Sequence, residues 1–193
     1  MDAGPPADAG SPADAAPPAV DESVDVPTAA DMRHLGERLA GLLRAGDLVV
    51  LSGSLGAGKT TLTQGIGAGL GVRGPVTSPT FVIARQHPSL RGGPDLVHAD
   101  AYRLGSRAEV DDLDLDTDVA TSVTVVEWGE GLVEDLAPSF LQVAISAAGA
   151  GPASGEPGSG DQDEVRTVRV LGWGERWRDA APAARRAVAG RVT

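Results

Sequence analysis

Residues 53–60, GSLGAGKT, constrain the fold more than any other segment, because they match the pattern G-x-x-x-x-G-K-[ST] at every position. The apolar segment 47–51 in front of them predicts a short buried strand, and residues 59–70 predict a helix. A strand, a glycine-rich loop and a helix in this order are typical of a P-loop, whose backbone curls around phosphate. The sequence therefore predicts an α/β fold that binds a nucleotide.

The chemistry of this loop follows from its residue types. Glycines allow the backbone to turn its N–H groups towards phosphate oxygens, and the following helix points its positive dipole end at the same anion. Lys59 is expected to reach the β- and γ-phosphates, the Thr60 hydroxyl to bind Mg²⁺, and Thr61 to contact the α-phosphate. The predicted nucleotide-binding residues are Leu55, Gly56, Ala57, Gly58, Lys59, Thr60 and Thr61.

The use of lysine at position 59 is itself informative. Lysine and arginine together number 16, and Lys59 is the one lysine among them. All the remaining residues of this pair of types are arginines. Lysine has been kept at the position where a flexible point charge differs chemically from a planar guanidinium fork. This supports a phosphate-binding role for the side chain.

Composition limits the other classes of function. The chain has no cysteine, three histidines and a formal net charge of -11. These values exclude a disulfide framework and thiolate zinc sites, and they disfavour binding of nucleic acid by bulk charge. No apolar run approaches the roughly 20 residues of a membrane helix, and the N-terminus has no secretory pattern. We expect a soluble, cytoplasmic protein with no membrane contact.

The domain organisation is predicted from shifts in composition. Residues 1–26 are rich in proline, alanine and aspartate and carry no lysine or arginine, which is typical of a disordered tail. Residues 27–193 have the length of a single P-loop domain. Inside that domain, residues 149–164 are rich in glycine, proline and serine and predict a flexible loop.

The remaining elements follow from apolar periodicity and capping signals. Thr28 and Asp31 form a capping-box pattern that predicts the start of a helix, and a polar terminal helix is predicted over residues 175–186. Strands are predicted over residues 80–85, 96–101, 123–126, 141–146 and 165–171, the last two as an antiparallel pair. The predicted class is α/β, a P-loop NTPase-like three-layer fold with a mixed, partly antiparallel sheet.

Two carboxylates are candidates for the chemistry beside the loop. A P-loop protein needs a second acidic group near its metal, usually at the end of a neighbouring strand. Glu127 follows an apolar segment and is the first candidate, to bind Mg²⁺ directly or through water or to polarise the attacking water. Asp100 is the second candidate, with a structural hydrogen-bond network as its alternative. Trp128 is either a core aromatic, as we expect, or a contact for a partner. His98 is expected as a packed, hydrogen-bonded side chain rather than a ligand.

The sequence is compatible with more than one role for several other polar residues. Arg103 pairs either with Asp100 or with phosphate. Ser78 or Thr80 either senses the γ-phosphate through Mg²⁺ or belongs to a proline turn at the start of a strand. The acidic run 109–118 lacks the central glycine and terminal glutamate of a calcium loop, so it predicts a solvated loop or helix end.

Missing motifs exclude several classes of nucleotide-binding protein. Guanine-specific GTPases read the base with Asn-Lys-x-Asp, which cannot occur where the one lysine lies in the P-loop. The LSGGQ-like signature of ABC ATPases is also absent. An ATPase, a small-molecule kinase whose lid would be the loop 85–107, and a non-catalytic nucleotide switch remain.

A set of motifs beyond the P-loop resembles a known family. In chain order the matching segments are LGERLA (35–40), GSLGAGKTT (53–61), TSPTF (77–81), HADAYRL (98–104) and EW (127–128). Their order and spacing resemble those of the bacterial TsaE (YjeE) ATPases. The resemblance covers residues 27–146 and continues less distinctly to residue 171. The P-loop alone is generic, but its combination with the other motifs is specific.

The resemblance implies a weak Mg²⁺-dependent ATPase that holds ATP, and ADP after turnover, and takes part in forming threonylcarbamoyladenosine in tRNA. It implies TsaD-like and TsaB-like protein partners, of which TsaD performs the transfer chemistry, so that the chain meets tRNA only indirectly. By position, the implied catalytic residues are Lys59, Glu127 and Asp100. The implied metal site is Thr60 with Glu127, and Thr28 falls where the family contacts the nucleotide near the adenine.

Overall fold

One seven-stranded sheet organises the described part of the chain. The computed structural model describes residues 17–79, 84–104, 109, 120–147 and 165–190. The strands are β1 (Val20–Val26), β2 (Leu48–Gly53), β3 (Ala84–His87), β4 (Asp95–Asp100), β5 (Ser122–Glu127), β6 (Phe140–Ala147) and β7 (Arg166–Trp173). The helices with described bounds are α1 (Ala29–Ala40), α2 (Lys59–Leu70) and α3 (Glu175–Ala189), and a 3-10 turn covers Glu134–Leu136.

The central strands of the sheet are parallel and its edges are antiparallel. The strand order is β1-β7-β6-β2-β5-β4-β3. β6, β2, β5 and β4 run parallel, whereas β3, β7 and β1 join through antiparallel pairs. The predicted α/β class with a mixed, partly antiparallel sheet is confirmed, as is the predicted antiparallel pair β6–β7. Because the carboxyl ends of parallel strands meet at one edge, β2, β5 and β4 deliver the residues that follow them to the same place.

β2 and α2 flank the glycine-rich loop as its motif requires. Leu48–Leu51 of β2 are at most 1% exposed, so the loop starts from the centre of the core. α2 begins at Lys59 and ends at Leu70, which confirms the predicted bounds. Gly71, with φ 69°, ends the helix in the left-handed conformation that glycine adopts at low cost, and its N–H donates to the Ala68 carbonyl.

α1 starts at the predicted capping box. The Thr28 hydroxyl accepts a hydrogen bond from the Asp31 N–H at 3.1 Å, and the Asp31 carboxylate accepts one from the Thr28 N–H at 3.1 Å. Two of the otherwise unpaired donors at the helix start are thereby satisfied. Asp31 also places a negative charge at the positive end of the helix dipole.

α1 and α2 approach each other more closely than side chains permit. A Cβ atom at Gly65 would overlap the Arg33 backbone, and one at Gly36 would overlap the backbone of Leu62 and Ile66. The two helices therefore meet backbone to backbone, which only glycine allows at these positions. This contact fixes α1 beside the helix that carries Lys59.

The apolar core occupies both faces of the sheet. On one face all three helices pack against the strands, and Leu35, Leu62 and Trp177 are fully buried there. On the other face residues 132–137 cover a smaller cluster that includes Val50. Helices, sheet and this covering segment form three layers.

α3 ties the C-terminal part of the chain to β2. The predicted terminal helix over residues 175–186 is confirmed and extends to Ala189. Arg176 donates to both carboxylate oxygens of Asp47, at 3.1 and 3.0 Å, and to the Leu42 carbonyl at 2.7 Å. Asp47 immediately precedes β2, so this ion pair joins the last helix to the strand that leads into the glycine-rich loop.

The first strand corrects the prediction that residues 1–26 form a disordered tail. Val20–Val26 is β1 and pairs with β7 along its whole length. Asp21 accepts two hydrogen bonds from the Arg169 guanidinium, both at 2.8 Å. Ladder hydrogen bonds and cross-strand charge pairs stabilise a segment whose apolar content alone predicted disorder. The folded domain therefore begins before residue 27.

Some predicted features lie outside the described residues. These are residues 1–16, the loop 149–164, Thr80 and most of the acidic run 109–118. Among the described helices, none has the length and apolar character needed to cross a membrane.

The glycine contact between α1 and α2 generates a prediction about stability. Gly65→Ala should lower the free energy of unfolding by about 1–3 kcal/mol, since overlap with the Arg33 backbone outweighs the better helix propensity of alanine. Gly41→Ala is the control, because a Cβ at this helix end meets only the Arg38 carbonyl at 3.4 Å. Urea denaturation measures both, and equal stability of the two variants would contradict the packing described.

Candidate functional site

A cleft opens at the edge where the parallel strands end. Its volume is about 310 Å³, and its walls come from the glycine-rich loop, the start of α2 and the residues at the ends of β4 and β5. The residues that line it are Leu55, Gly56, Ala57, Gly58, Lys59, Thr60, Thr61, Ser78, Asp100, Tyr102, Glu127 and Trp128. All predicted site residues except Thr28 therefore come together in this one cleft.

The loop backbone adopts the conformations that its glycines were predicted to supply. Gly56 has φ 78° and Gly58 has φ 111°, both in the region that other residues rarely adopt. A Cβ atom at Gly53 would also overlap the Ile145 carbonyl of β6. The loop leads directly into α2, whose first N–H groups and positive dipole end face the cleft.

Lys59 is buried and folds back over its own loop. Its Nζ donates to the Gly53 carbonyl at 2.7 Å and to the Ser54 carbonyl at 2.9 Å. Burial lowers the pKa of Lys59 below its ordinary value, while the negative charges of Glu127 and Asp100 act in the opposite direction. The ammonium group is thus held at the base of the cleft at some electrostatic cost.

Trp128 lies against this ammonium group rather than in the core, where it was expected. The Lys59 Nζ lies 3.8 Å from the centroid of the indole ring, which is the geometry of a cation–π contact. Trp128 has φ 62° and is the one non-glycine residue with positive φ among the described residues. The Tyr102 ring lies 5.2 Å from the indole, centroid to centroid, so the two aromatic rings form one wall of the cleft.

Glu127 connects the loop helix to the sheet. Its Oε1 atom accepts a hydrogen bond from the Thr60 hydroxyl at 2.8 Å. The same oxygen lies 2.9 Å from Nε2 of His98 on β4. Glu127 is 4% exposed and His98 is 0% exposed, so both contacts are shielded from solvent. The arrangement holds a hydroxyl oxygen and a carboxylate side by side at the mouth of the loop.

Asp100 is the second carboxylate of the cleft. It is paired with Glu127 in the register of β4 and β5, so the two side chains leave the sheet next to each other. Its Oδ1 accepts a hydrogen bond from the Tyr102 N–H at 2.9 Å, and the residue is 8% exposed. Asp100 therefore makes the hydrogen bond of its structural interpretation and also lines the cleft together with Lys59.

Thr28 is the predicted site residue that does not line the cleft. Its hydroxyl and N–H are engaged with Asp31 in the capping box. It lies one helical turn before Met32, whose side chain would meet a Cβ at Gly58 at 3.3 Å. The first turn of α1 thus borders the glycine-rich loop through Met32, while Thr28 itself acts as the N-cap of the helix.

Sequence reasoning missed the functional contacts of His98 and Trp128. A signal for His98 was present in the H-x-D motif, since alternate residues of a strand face the same side. His98 and Asp100 therefore share a face of β4, but the identity of the partner on β5 depends on strand order and register. The contact between Lys59 and Trp128 depends on a left-handed backbone that no residue type in the motif predicts.

The buried charge of Lys59 generates a prediction about pH. The unfolded chain keeps the Lys59 proton up to the ordinary pKa of 10.5, whereas the folded chain releases it at lower pH. Between these two values the unfolded state binds more protons, so this residue makes the free energy of unfolding rise with pH. Wild type should therefore gain stability relative to Lys59→Met between neutral pH and pH 10.5, measured by urea denaturation.

Gln64→Met is the control for this measurement, because it changes a side chain of the same helix without removing a titratable group. Its stability relative to wild type should stay constant over the same pH range. A difference between wild type and Lys59→Met that does not change with pH would contradict the burial of the ammonium group.

Known proteins resemble this chain over most of its length. The tRNA threonylcarbamoyladenosine biosynthesis protein TsaE of Streptomyces coelicolor is 63% identical over 150 residues, which cover 77% of this chain and 95% of that protein. The protein of the same name from Mycobacterium tuberculosis is 52% identical over 127 residues, covering 62% of this chain and 76% of that protein.

A solved structure and a family model agree with these relatives. The crystal structure of Bacillus subtilis YdiB superposes with a TM-score of 0.64 at 28% identity and covers 86% of this chain and 95% of that one. The family model described as threonylcarbamoyl adenosine biosynthesis protein TsaE matches residues 26–152, from the end of β1 to beyond β6. The chain therefore belongs to the TsaE family of tRNA threonylcarbamoyladenosine biosynthesis proteins.

Proposed function

We propose that this chain is a Mg²⁺-dependent ATPase, the ATP-hydrolysing subunit of the complex that forms threonylcarbamoyladenosine in tRNA. The observation that carries the proposal is the contact between the Thr60 hydroxyl and the Glu127 carboxylate, 2.8 Å apart beside a glycine-rich loop and a buried lysine. Phosphoryl transfer needs mainly positioning and charge stabilisation, and these groups provide both in one cleft.

The triphosphate would be held by the loop and by Lys59. The positive φ angles of Gly56 and Gly58 curl the backbone, and α2 adds the positive end of its dipole. Lys59 already has two of its three N–H donors on loop carbonyls, so the third is available to phosphate. These groups bind the phosphates and orient the terminal one for attack.

The residues present fit a magnesium ion. The Thr60 hydroxyl and the Glu127 carboxylate would hold the ion, because they supply the hard oxygen donors that Mg²⁺ prefers and lie side by side in the cleft. No group of three or more histidine, cysteine, aspartate or glutamate side chains that could hold a metal occurs among the described residues, so the other ligands would be phosphate oxygens and water. Bound there, Mg²⁺ would neutralise phosphate charge and polarise the phosphoryl oxygens.

The charge balance of the cleft supports a metal requirement. Two carboxylates, Glu127 and Asp100, face a single ammonium group, Lys59. An anionic phosphate tail entering this cleft alone would meet more negative than positive side-chain charge. A divalent cation reverses that balance, which is why we expect nucleotide binding to depend on Mg²⁺.

The attacking water would be oriented by a carboxylate. Asp100 and Glu127 are both nearly buried, and both line the cleft. Oε1 of Glu127 already takes part in two hydrogen bonds, so Oε2 is the oxygen of that side chain that we assign to water. Water positioning thus falls to Glu127 Oε2 or to Asp100, and proton removal by either assists the displacement.

The partners and the location are proposed from the family. Relatives carry names that place them in the biosynthesis of tRNA threonylcarbamoyladenosine. With a formal net charge of -11, this chain would bind tRNA weakly by itself, so it would reach tRNA through TsaD-like and TsaB-like subunits in the cytoplasm. We expect slow turnover alone and faster turnover in their presence.

The test compares ATP hydrolysis by matched variants of α2. Thr60→Val removes the hydroxyl that contacts Glu127, and Lys59→Ala removes the phosphate anchor; each should lower kcat by about 100-fold or more. Thr63→Val is the control, since the Thr63 hydroxyl only donates to the Lys59 carbonyl inside the helix and does not line the cleft. Phosphate release is measured with Mg²⁺, with and without the two partner subunits.

The outcomes separate the proposal from its alternatives. Normal hydrolysis by Thr60→Val and Lys59→Ala would refute the site assignment. Transfer of the phosphoryl group to a small-molecule acceptor, without a protein partner, would indicate a kinase instead. Retention of all function by Glu127→Ala would indicate a nucleotide switch rather than an ATPase.

A further inference from the structure

His98 is a fully buried polar side chain whose described hydrogen bond goes to the candidate metal-site carboxylate. It lies on β4 at 0% exposure, and its Nε2 is 2.9 Å from Glu127 Oε1. Its other ring nitrogen, Nδ1, has no hydrogen-bond partner among the described residues. A leucine of similar size would fill the same space without a buried nitrogen, so packing alone does not explain a histidine here.

The direction of the hydrogen bond follows from the chemistry of both groups. An ionised carboxylate can only accept, and the same Oε1 also accepts from the Thr60 hydroxyl. Nε2 of His98 must therefore carry the proton and donate it. In the neutral ring this leaves Nδ1 as an acceptor without a hydrogen, which is less costly to bury unpaired than an N–H.

Two donors from two elements hold one carboxylate oxygen. Thr60 approaches Oε1 from α2, and His98 approaches it from the neighbouring strand. With Oε1 held in this way, the Glu127 carboxylate, which lines the cleft, cannot rotate freely. The Thr60 hydroxyl proton is also directed at Glu127, so its lone pairs remain available on the cleft side.

We propose that His98 is a positioning residue that orients Glu127 and, through it, the Thr60 hydroxyl for the Mg²⁺ of a bound nucleotide. This inference rests on the proposed function and assigns a role to a residue that would not itself touch nucleotide or metal. Partners that orient metal-binding side chains typically change metal affinity by about 10–100-fold when they are removed.

The test measures how strongly Mg²⁺ and nucleotide binding are linked. Calorimetry gives the Kd of a non-hydrolysable ATP analogue with saturating Mg²⁺ and again with EDTA, and the ratio of the two values is the linkage. His98→Leu should lower this ratio by about 10-fold or more while leaving the Kd in EDTA unchanged. His98→Gln should keep most of the ratio, since its side-chain amide can donate from a position close to that of Nε2.

His87→Leu is the matched control. His87 is 5% exposed and lies on the neighbouring strand β3, and its Nε2 is also without a partner among the described residues. Its substitution changes the packing of the same region without removing a hydrogen bond to Glu127. The ratio of the two Kd values should therefore equal that of wild type. An equal loss in His87→Leu and His98→Leu would show a general packing effect and would overturn the inference.

The remaining outcomes are distinguishable from failure of the proposed function. Equal Kd values for wild type with Mg²⁺ and with EDTA would refute the Mg²⁺-dependent site itself. If the ratio of the two Kd values in His98→Leu equals that of wild type but the ratio falls in Glu127→Gln, the positioning role of His98 is overturned and the proposed Mg²⁺ site is retained.

A second measurement leaves His98 itself unchanged. The chain has three histidines, so ¹⁵N NMR of histidine-labelled wild type resolves few ring signals. The proposal requires His98 to carry its proton on Nε2 and this signal to shift in Glu127→Gln. A neutral ring protonated on Nδ1 would overturn it.

Discussion

One carboxylate oxygen, Glu127 Oε1, joins the glycine-rich loop to the sheet. Thr60 at the start of α2 and His98 on β4 both contact it, so three separate elements meet at this atom. The junction exists because β2, β5 and β4 run parallel in adjacent positions and end at the same edge. The geometry of the cleft therefore depends on strand order as much as on the loop motif.

The features of the fold that the sequence predicted are those determined by residues close to one another in the chain. The loop needs glycines and a following helix, and α2 has the predicted bounds. The capping box of Thr28 and Asp31 is local, and α1 starts beside it as expected. The TsaE resemblance combined several such local motifs, and the family model matches residues 26–152.

The parts that the sequence did not predict depend on distant partners. β1 combines valines with acidic residues at the end of a proline-rich segment, and it becomes a strand through pairing with β7, which lies more than a hundred residues later in the chain. The pairing of His98 with Glu127 needs the register of β4 and β5, and the contact of Trp128 with Lys59 needs a left-handed backbone after β5. Composition and periodicity report burial and helix or strand preference, but they do not specify which elements become neighbours.

The indole of Trp128 beside Lys59 has a consequence for how an anion enters the cleft. An exposed ammonium group would have to give up tightly held water before it could bind phosphate. Here the aromatic ring and two loop carbonyls already occupy most of the space around the Nζ atom. Lys59 is 4% exposed, so folding has already removed most of the water from this ammonium group. A phosphate bound as proposed would therefore displace a ring face rather than a full hydration shell.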